Sequence, residues 1–259
     1  MNYLGVQGFT IREHMADKAE LDKTLKKISD IGYNGLQLRV PAYLTVKEYA
    51  DMLAGYGIRG LTMGATVDGM LGDPGPAIEG AHILGADLLF LASIPKELRN
   101  DEAGYHKFAA DMNKCGHIAK KEGLRVTYHA HAFEYCNFDG YTGMDILLNE
   151  TDSDCVEMMP DTHWLACAGV NPPDFIRRCI NRCTQVHFKD YKIALGEEVL
   201  ENVPKRFAEV GRGNLDWPAI IRACREIGVE IFVVEQDVCE IDPFTSLRIS
   251  FDAMKRMGL

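Results

Sequence analysis

The sequence predicts an α/β protein, a (β/α)8 barrel forming a single domain over residues 1–259, on three observations. Short runs of β-favouring residues alternate with amphipathic helical runs along the whole chain. Most helical runs stop at a glycine, and a new strand begins within a few residues. The strand–helix unit recurs eight times at ~25–35 residues per unit, and eight units in 259 residues is the size of a closed barrel of parallel strands. The competing architecture, an open doubly wound sheet, places a glycine-rich phosphate loop after its first strand. GFTIRE stands there instead, and it is not G-x-G-x-x-G.

Taken in order, Leu4–Phe9 reads as the first strand, followed by polar Thr10–Asp17. Leu21, Leu25, Ile28 and Ile31 then recur at helical spacing up to Gly32, where glycine takes the left-handed cap most cheaply. Gly35–Val40 is the second strand, Val46–Tyr56 a helix stopped at Gly57, and Ile58–Met63 the third strand. The helix Ile78–Leu84 stops at Gly85 before the strand Asp87–Ala92. Tyr105–Lys121 stops near Gly123 before Leu124–His129. The second half is less regular: helix Met144–Asn149, strand Val156–Pro160, helix Pro173–Ile180 and strand Thr184–Phe188. A long polar excursion, Lys189–Asn214, precedes helix Trp217–Ile227, Gly228, strand Glu230–Val234 and a closing helix, Phe244–Met257.

Composition narrows the function classes. With 47% hydrophobic and 25% charged residues and no low-complexity tract, the chain has the make-up of a soluble globular protein. A formal net charge of −10 argues against nucleic acid as the main partner, because phosphate contacts need a surplus of Lys and Arg. No apolar run approaches the ~20 residues of a membrane span. MNYLGVQGFT lacks the basic and apolar regions of a signal peptide, so the expected compartment is the cytoplasm. The eight cysteines are scattered without a C-x-x-C pair, and the Cys179/Cys183 spacing suits a helix face better than a zinc knuckle.

In such barrels chemistry sits at the C-terminal ends of the strands. The first four strands end in Gln7, Gln37, Arg39, Thr62, Thr66 and Ser93, none a strong metal ligand. The last four end in His129, His131 and Glu134, then Asp161 and His163, then His187, Lys189 and Asp190, then Glu235 and Asp237. Glu134, Asp161, His187 and Glu235 give one ligand type from each of four successive strands. Three carboxylates and an imidazole make a hard site suited to Mn²⁺, Mg²⁺ or Co²⁺, and less so to Zn²⁺. A cation there can stabilise the enediolate formed when a proton leaves the carbon beside a carbonyl. Each residue also has a plainer role. A lone carboxylate at a strand end is often a helix N-cap. His187, between Val186 and Phe188, suits a core position; His129 and His131 share a strand face and one can be structural; Lys189 and Asp190 can be a simple ion pair.

The motifs VQGFTIRE, IGYNGLQLR, YHAHAFEY, DTHWLACAGVNP, VHFKD, EVGRGNLDW and VVEQD together resemble the sugar phosphate isomerase/epimerase family of xylose isomerase-like TIM barrels, nearly end to end and in the family's order. The resemblance implies a divalent metal ion, most often Mn²⁺, held by Glu134, Asp161, His187 and Glu235. Glu134 and Glu235 would also be the catalytic acid/base pair, and His131, His163, Trp164 and Lys189 would line the substrate pocket. His129 or His163 is a candidate proton donor to a leaving group, and Arg39, Lys189 and Arg212, with Arg12, are candidate anion contacts. The chain departs from the family pattern at Ala130, where Asn is usual, at Gln37, where an acidic residue is usual, and at Leu61–Ala65, which lacks a common histidine. The segment Lys192–Val210 is expected to act as a lid or a contact surface, with Val199, Leu200, Val203 and Phe207 able to dock on a partner subunit. The function implied is a metal-dependent isomerase or epimerase of a ketose, keto-sugar or keto-glycoside. The alternative is a lyase of the inosose dehydratase or C-glycoside-cleaving kind that uses the same enolate, with a partner subunit in the latter case. A homodimer or homotetramer acting on a small carbohydrate is expected, with no nucleic-acid or membrane partner.

Overall fold

The computed structural model describes residues 2–194 and 205–259. Its strands are β1 (Tyr3–Gln7), β2 (Gly35–Gln37), β3 (Arg59–Gly60), β4 (Met63–Ala65), β5 (Leu88–Leu91), β6 (Arg125–His129), β7 (Val156–Met159), β8 (Gln185–Phe188), β9 (Asp190–Ile193), β10 (Lys205–Ala208) and β11 (Ile231–Val234). One sheet runs β3-β2-β1-β11-β8 and the other β4-β5-β6-β7, with every neighbouring pair parallel. The two sheets are one barrel. Gly60 pairs with Leu36 and Met63 with Leu89, so Leu61 and Thr62 carry a single strand from the first sheet to the second. The opposite seam, between β7 and β8, closes through Met158 N–H donating to Arg182 O (2.9 Å), His187 N–H donating to Pro160 O (2.9 Å) and a parallel bridge between Asp161 and His187.

The helices Lys18–Ile31, Glu102–Lys121, Trp217–Ile227 and Pro243–Arg256 lie where the 3.6-residue period places them, and Gly32, Gly85 and Gly228 cap their helices at φ 115°, 65° and 79°. Several features differ from expectation. β2 ends at Gln37 instead of Val40, and the third barrel strand is broken at Leu61–Thr62. Short helices at Val67–Gly72 and Thr162–Cys167 and a 3-10 turn at Gly8–His14 are too brief to show a period. The polar excursion holds an antiparallel hairpin, β9–β10, with Phe207 opposite Tyr191. Cys179 caps the helix Pro172–Arg178 and Cys183 follows it, both buried, so they do not form one helix face. No helix among the described residues is long and apolar enough to cross a membrane.

Most of the core lies between strands and helices, as the outward strand residues Val6, Leu36, Val126, Val156, Val186 and Phe232 are buried against them. A second cluster, Leu61, Ile231 and Val233, plugs the barrel interior. Leu61 fills the space over Gly5 and Gly35, where any side chain would collide with it. Because side chains alternate along a strand, the inward row continues upward from these plugs. Val233 leads to Glu235, Gln185 to His187 and Lys189, Thr127 to His129, and Met159 to Asp161. The plug sets the floor, and the ionisable residues stand on it.

Candidate active site

Donor atoms of His129, Asp161, His187 and Glu235 lie within 4.8 Å of one another, and all four residues are buried. Asp161 reaches the group because it does two jobs. Its Oδ1 accepts from the N–H groups of His163 (2.9 Å) and Trp164 (3.0 Å), capping the helix Thr162–Cys167. Its Oδ2 is left to face His129 Nε2 at 3.3 Å and His187 Nδ1 at 3.8 Å. Thr162 ties that helix to the end of β8: its hydroxyl accepts from Lys189 N–H (3.0 Å) and faces Lys189 O at 2.9 Å.

The protonation of His187 is set from behind. Gln37 Nε2 donates to Gln185 Oε1 (3.4 Å), while Gln37 Oε1 accepts from Gln7 (3.4 Å) and stands 2.6 Å from His187 Nε2. An oxygen at that point requires the proton on Nε2, which leaves the Nδ1 lone pair aimed at Glu235 Oε2, 3.0 Å away. In that tautomer two acceptors face each other, a contact that a proton or a metal ion held by both would relieve. Burial, helped by His129, lowers the pKa of His187, which weighs against the proton. Charge balance agrees. The buried carboxylates of Asp161 and Glu235 and the half-buried carboxylate of Asp237 all face the ammonium of Lys189, so carboxylates outnumber that fixed cation. The residues present therefore fit a divalent cation.

Lys189 Nζ sits 2.7 Å from Asp237 Oδ1, 3.6 Å from Glu235 Oε2 and 4.0 Å from Asp161 Oδ2. Burial works against its charge, but the three carboxylates outweigh that and raise its pKa. Burial likewise works against ionising Asp161 and Glu235. Lys189 and His129 nevertheless hold Asp161 below the ordinary carboxylate range, and the His187 contact and Lys189 do the same for Glu235. For His129, burial opposes the charge and the Asp161 contact outweighs it, so its pKa rises. Burial lowers His131 to about 3, with His129 adding to it, and lowers His163 to about 4; both are neutral imidazoles at pH 7. His131 Nδ1, His163 Nδ1 and Trp164 Nε1 are buried without a hydrogen-bond partner. Orphaned polar atoms grouped beside a charged cluster are the contacts a polar ligand would complete. Phe207, on β10, packs 4.8 Å from the His163 ring, and Lys189 Nζ lies 4.9 Å from the Trp164 ring and 5.3 Å from the Phe207 ring.

The structure brings Asp161, His187 and Glu235 together, with His131, His163, Trp164 and Lys189 around them. It places Glu134 differently from the expected ligand set. That carboxylate is fully buried, bonded to the Tyr128 hydroxyl and accepting from His131 N–H at 2.8 Å, and the side chain that clusters with Asp161, His187 and Glu235 is His129. Burial raises the pKa of Glu134, against the pull of those hydrogen bonds. Arg39 is exposed on the wall of a neighbouring cavity, and Arg212 is exposed in the turn after β10. Arg12 is taken up by the carbonyls of Phe9 (2.7 Å) and Asp237 (2.9 Å). Asp190 is no partner of Lys189: it accepts from Trp217 Nε1 (2.6 Å), Gly211 N–H (3.1 Å) and Gly213 N–H (3.0 Å), which organises the GRGNLDW loop. A Cβ at Gly213 would collide with the Asp190 carboxylate and the Tyr191 carbonyl. Of the apolar residues expected to meet a partner, Phe207 packs on the site itself, while Val199, Leu200 and Val203 lie outside the described residues. Strand-end ligand types point to Asp161, His187 and Glu235. The roles of Gln37 and Asp237 follow only from knowing which side chains face inward.

Residues 25–257 match the profile of the xylose isomerase-like TIM barrel family, and the chain belongs to that family. It is similar to an inosose dehydratase of Clostridium beijerinckii, with 28% identity over 159 residues, 56% of this chain and 51% of that protein. The chain thus spans about half the length of the curated relatives it matches. A solved sugar phosphate isomerase/epimerase from Parabacteroides distasonis superposes with a TM-score of 0.79 at 19% identity, covering 98% of this chain and 94% of that one. A xylose isomerase-like TIM barrel protein from Mycobacterium smegmatis in complex with magnesium superposes with a TM-score of 0.72 at 14% identity, covering 99% and 96%. At these identities the likeness of structures is one of fold.

Proposed function

We propose that this chain is a divalent-cation-dependent isomerase or epimerase of a keto-sugar, acting by proton abstraction beside the ketone. The convergence of His129, Asp161, His187 and Glu235 carries this reading, because it leaves the His187 Nδ1 lone pair and two carboxylates facing one point. A cation bound by those four residues would supply electrostatic stabilisation to the oxygen of an enolate, and two imidazoles with two carboxylates suit Mn²⁺ or Zn²⁺. Glu235 is the proposed proton acceptor. Lys189 keeps it ionised, and it stands at the open, C-terminal end of β11. Glu134, the other carboxylate of the expected pair, would have to give up its bonds to Tyr128 and His131 to reach a substrate. The neutral His131 and His163, with Trp164, are placed to orient sugar hydroxyls, and Lys189 to hold a polarised oxygen. Return of the proton to the opposite face gives an epimer, and to the neighbouring carbon an isomer.

The similarity to an inosose dehydratase favours a second reading, in which the same enolate expels a β-hydroxyl as water. That step needs a proton donor at the leaving group. His163, with its pKa near 4, is poorly suited to donate at pH 7. Incubation of the manganese-loaded protein with ketoses, inososes and 3-keto-glycosides in D₂O tests both. Deuterium gained at one carbon without loss of mass from the sugar supports the isomerase or epimerase, whereas loss of water or of a glycosidic group supports the lyase. No exchange in any compound at full metal occupancy would contradict both.

A further inference from the structure

A cavity of about 700 Å³ lies in the half of the barrel mouth formed by β1 to β5, and the proton-transfer reading makes no use of it. Its wall is largely apolar: Phe9, Leu38, Met63, Met70, Ala77 and Phe90 face it. Its polar side chains lie in two places. Gln7, Gln37, Thr62 and Thr66 come from the ends of the strands, and Arg12, Arg39 and Asp73 are exposed side chains at the rim. The cavity is continuous with the charged cluster through two shared residues. Gln37 contacts His187 at 2.6 Å, and the Phe90 ring lies 6.1 Å from the His129 ring and 6.4 Å from the His187 ring.

The volume falls in the range of about 300–1,000 Å³ that buries drug-sized ligands, so one sugar ring would leave most of it empty. The polar side chains stand at the strand ends and the rim and the rest of the wall is apolar, so hydroxyls all round a second sugar ring would be only partly bonded, and an apolar group suits the wall better. Phe9 stands half exposed at the entrance with the Arg12 guanidinium 4.1 Å from its ring centre, so one aromatic ring at the rim is already held in place beside the opening. We infer that the substrate is a keto-sugar bearing an apolar, ring-sized substituent. The sugar sits on the His129–Asp161–His187–Glu235 cluster and the substituent fills the cavity between Phe9, Met63 and Phe90. This rests on the cluster being where a keto-sugar reacts.

The test is a binding comparison by calorimetry, using the protein as purified with manganese present. The probes are p-nitrophenyl 3-keto-β-glucoside, methyl 3-keto-β-glucoside and p-nitrophenol alone. The aryl glycoside should bind at least about tenfold more tightly than the methyl glycoside, the factor expected for burying one ring-sized apolar group. It should also bind more tightly than p-nitrophenol alone. Ala92→Phe, on an exposed wall position, and Gly64→Val, where an added Cβ meets only Arg39 Cγ at 3.8 Å, should each bring the aryl-to-methyl ratio to near one. Circular dichroism checks that both variants fold. Equal affinities for the two glycosides, or a ratio that neither variant moves, would overturn the inference. So would p-nitrophenol binding as tightly as its glycoside, since the cavity would then act alone. Deuterium exchange on the same compounds reports only on the proton-transfer reading, so the two can fail separately.

Discussion

The two halves of the barrel mouth are built from the same strand–loop–helix unit and do opposite things. Between β6 and β11 the strands end in His129, Asp161, His187, Lys189 and Glu235, buried together as one ionisable cluster. Between β1 and β5 they present Gln7, Gln37, Met63 and Phe90 to a largely apolar hollow. The backbone explains part of the contrast. Along β8 and β11 the inward row runs unbroken from the plug to the mouth, so Gln185 leads to His187 and Val233 to Glu235. On the other side the third barrel strand breaks at Leu61–Thr62 and β2 is only three residues long, so those strand ends leave room instead of filling it. A barrel can therefore keep its charges on one wall and its volume on the other. Gln37 joins the halves, bordering the cavity while it fixes the proton on His187.

The contrast can be broken from either side. The largest effect is expected from Glu235→Gln, which should retain the fold and reduce deuterium exchange into substrate by about 10²–10⁴-fold, the usual worth of a positioned base. Exchange at the parental rate would remove Glu235 from that role. Next is Asp190→Ala, which leaves the Trp217 indole N–H and the Gly211 and Gly213 N–H groups without their acceptor. It should lower unfolding free energy by roughly 2–4 kcal/mol, read from denaturant midpoints at constant m-value. A negligible shift would mean that the loop does not depend on Asp190. Gln37→Met takes away the acceptor that holds the His187 tautomer and should weaken manganese binding by about 10–100-fold, with little change in circular dichroism. Unchanged affinity would break the proposed link between the halves. The smallest effect belongs to Arg39→Ala: as an exposed wall residue it should shift stability by no more than about 0.5 kcal/mol. A larger loss in thermal melts would reveal a structural contact for that guanidinium.

Legibility in the sequence follows the same divide. Helices ending at Gly32, Gly85 and Gly228 and strands such as Val156–Met159 and Ile231–Val234 are set by local pattern, and the barrel follows from their alternation. Asp161, His187 and Glu235 are legible because each lies at or just past a strand whose end is clear. Glu134 lies five residues beyond β6 and within a 3-10 turn, so no strand period fixes its direction; tertiary contact turns it towards Tyr128. His129 ends β6 itself, and the two-residue alternation shared with Thr127 points it inward. The cavity left no trace in the sequence, because empty space depends on which residues fail to meet across the barrel. The hairpin β9–β10 was hidden in polar residues, with register set by pairing across the chain instead of by alternation within it.

The central proposal is that His129, and not Glu134, completes a cation-holding set. Manganese affinity measured by calorimetry on His129→Ala and Glu134→Gln tests it most directly. The structure predicts that His129→Ala weakens binding by at least about tenfold, while Glu134→Gln stays within about twofold of the parent and lowers thermal stability instead. A Glu134→Gln protein that loses manganese while His129→Ala keeps it would contradict this account and return the fourth position to the carboxylate.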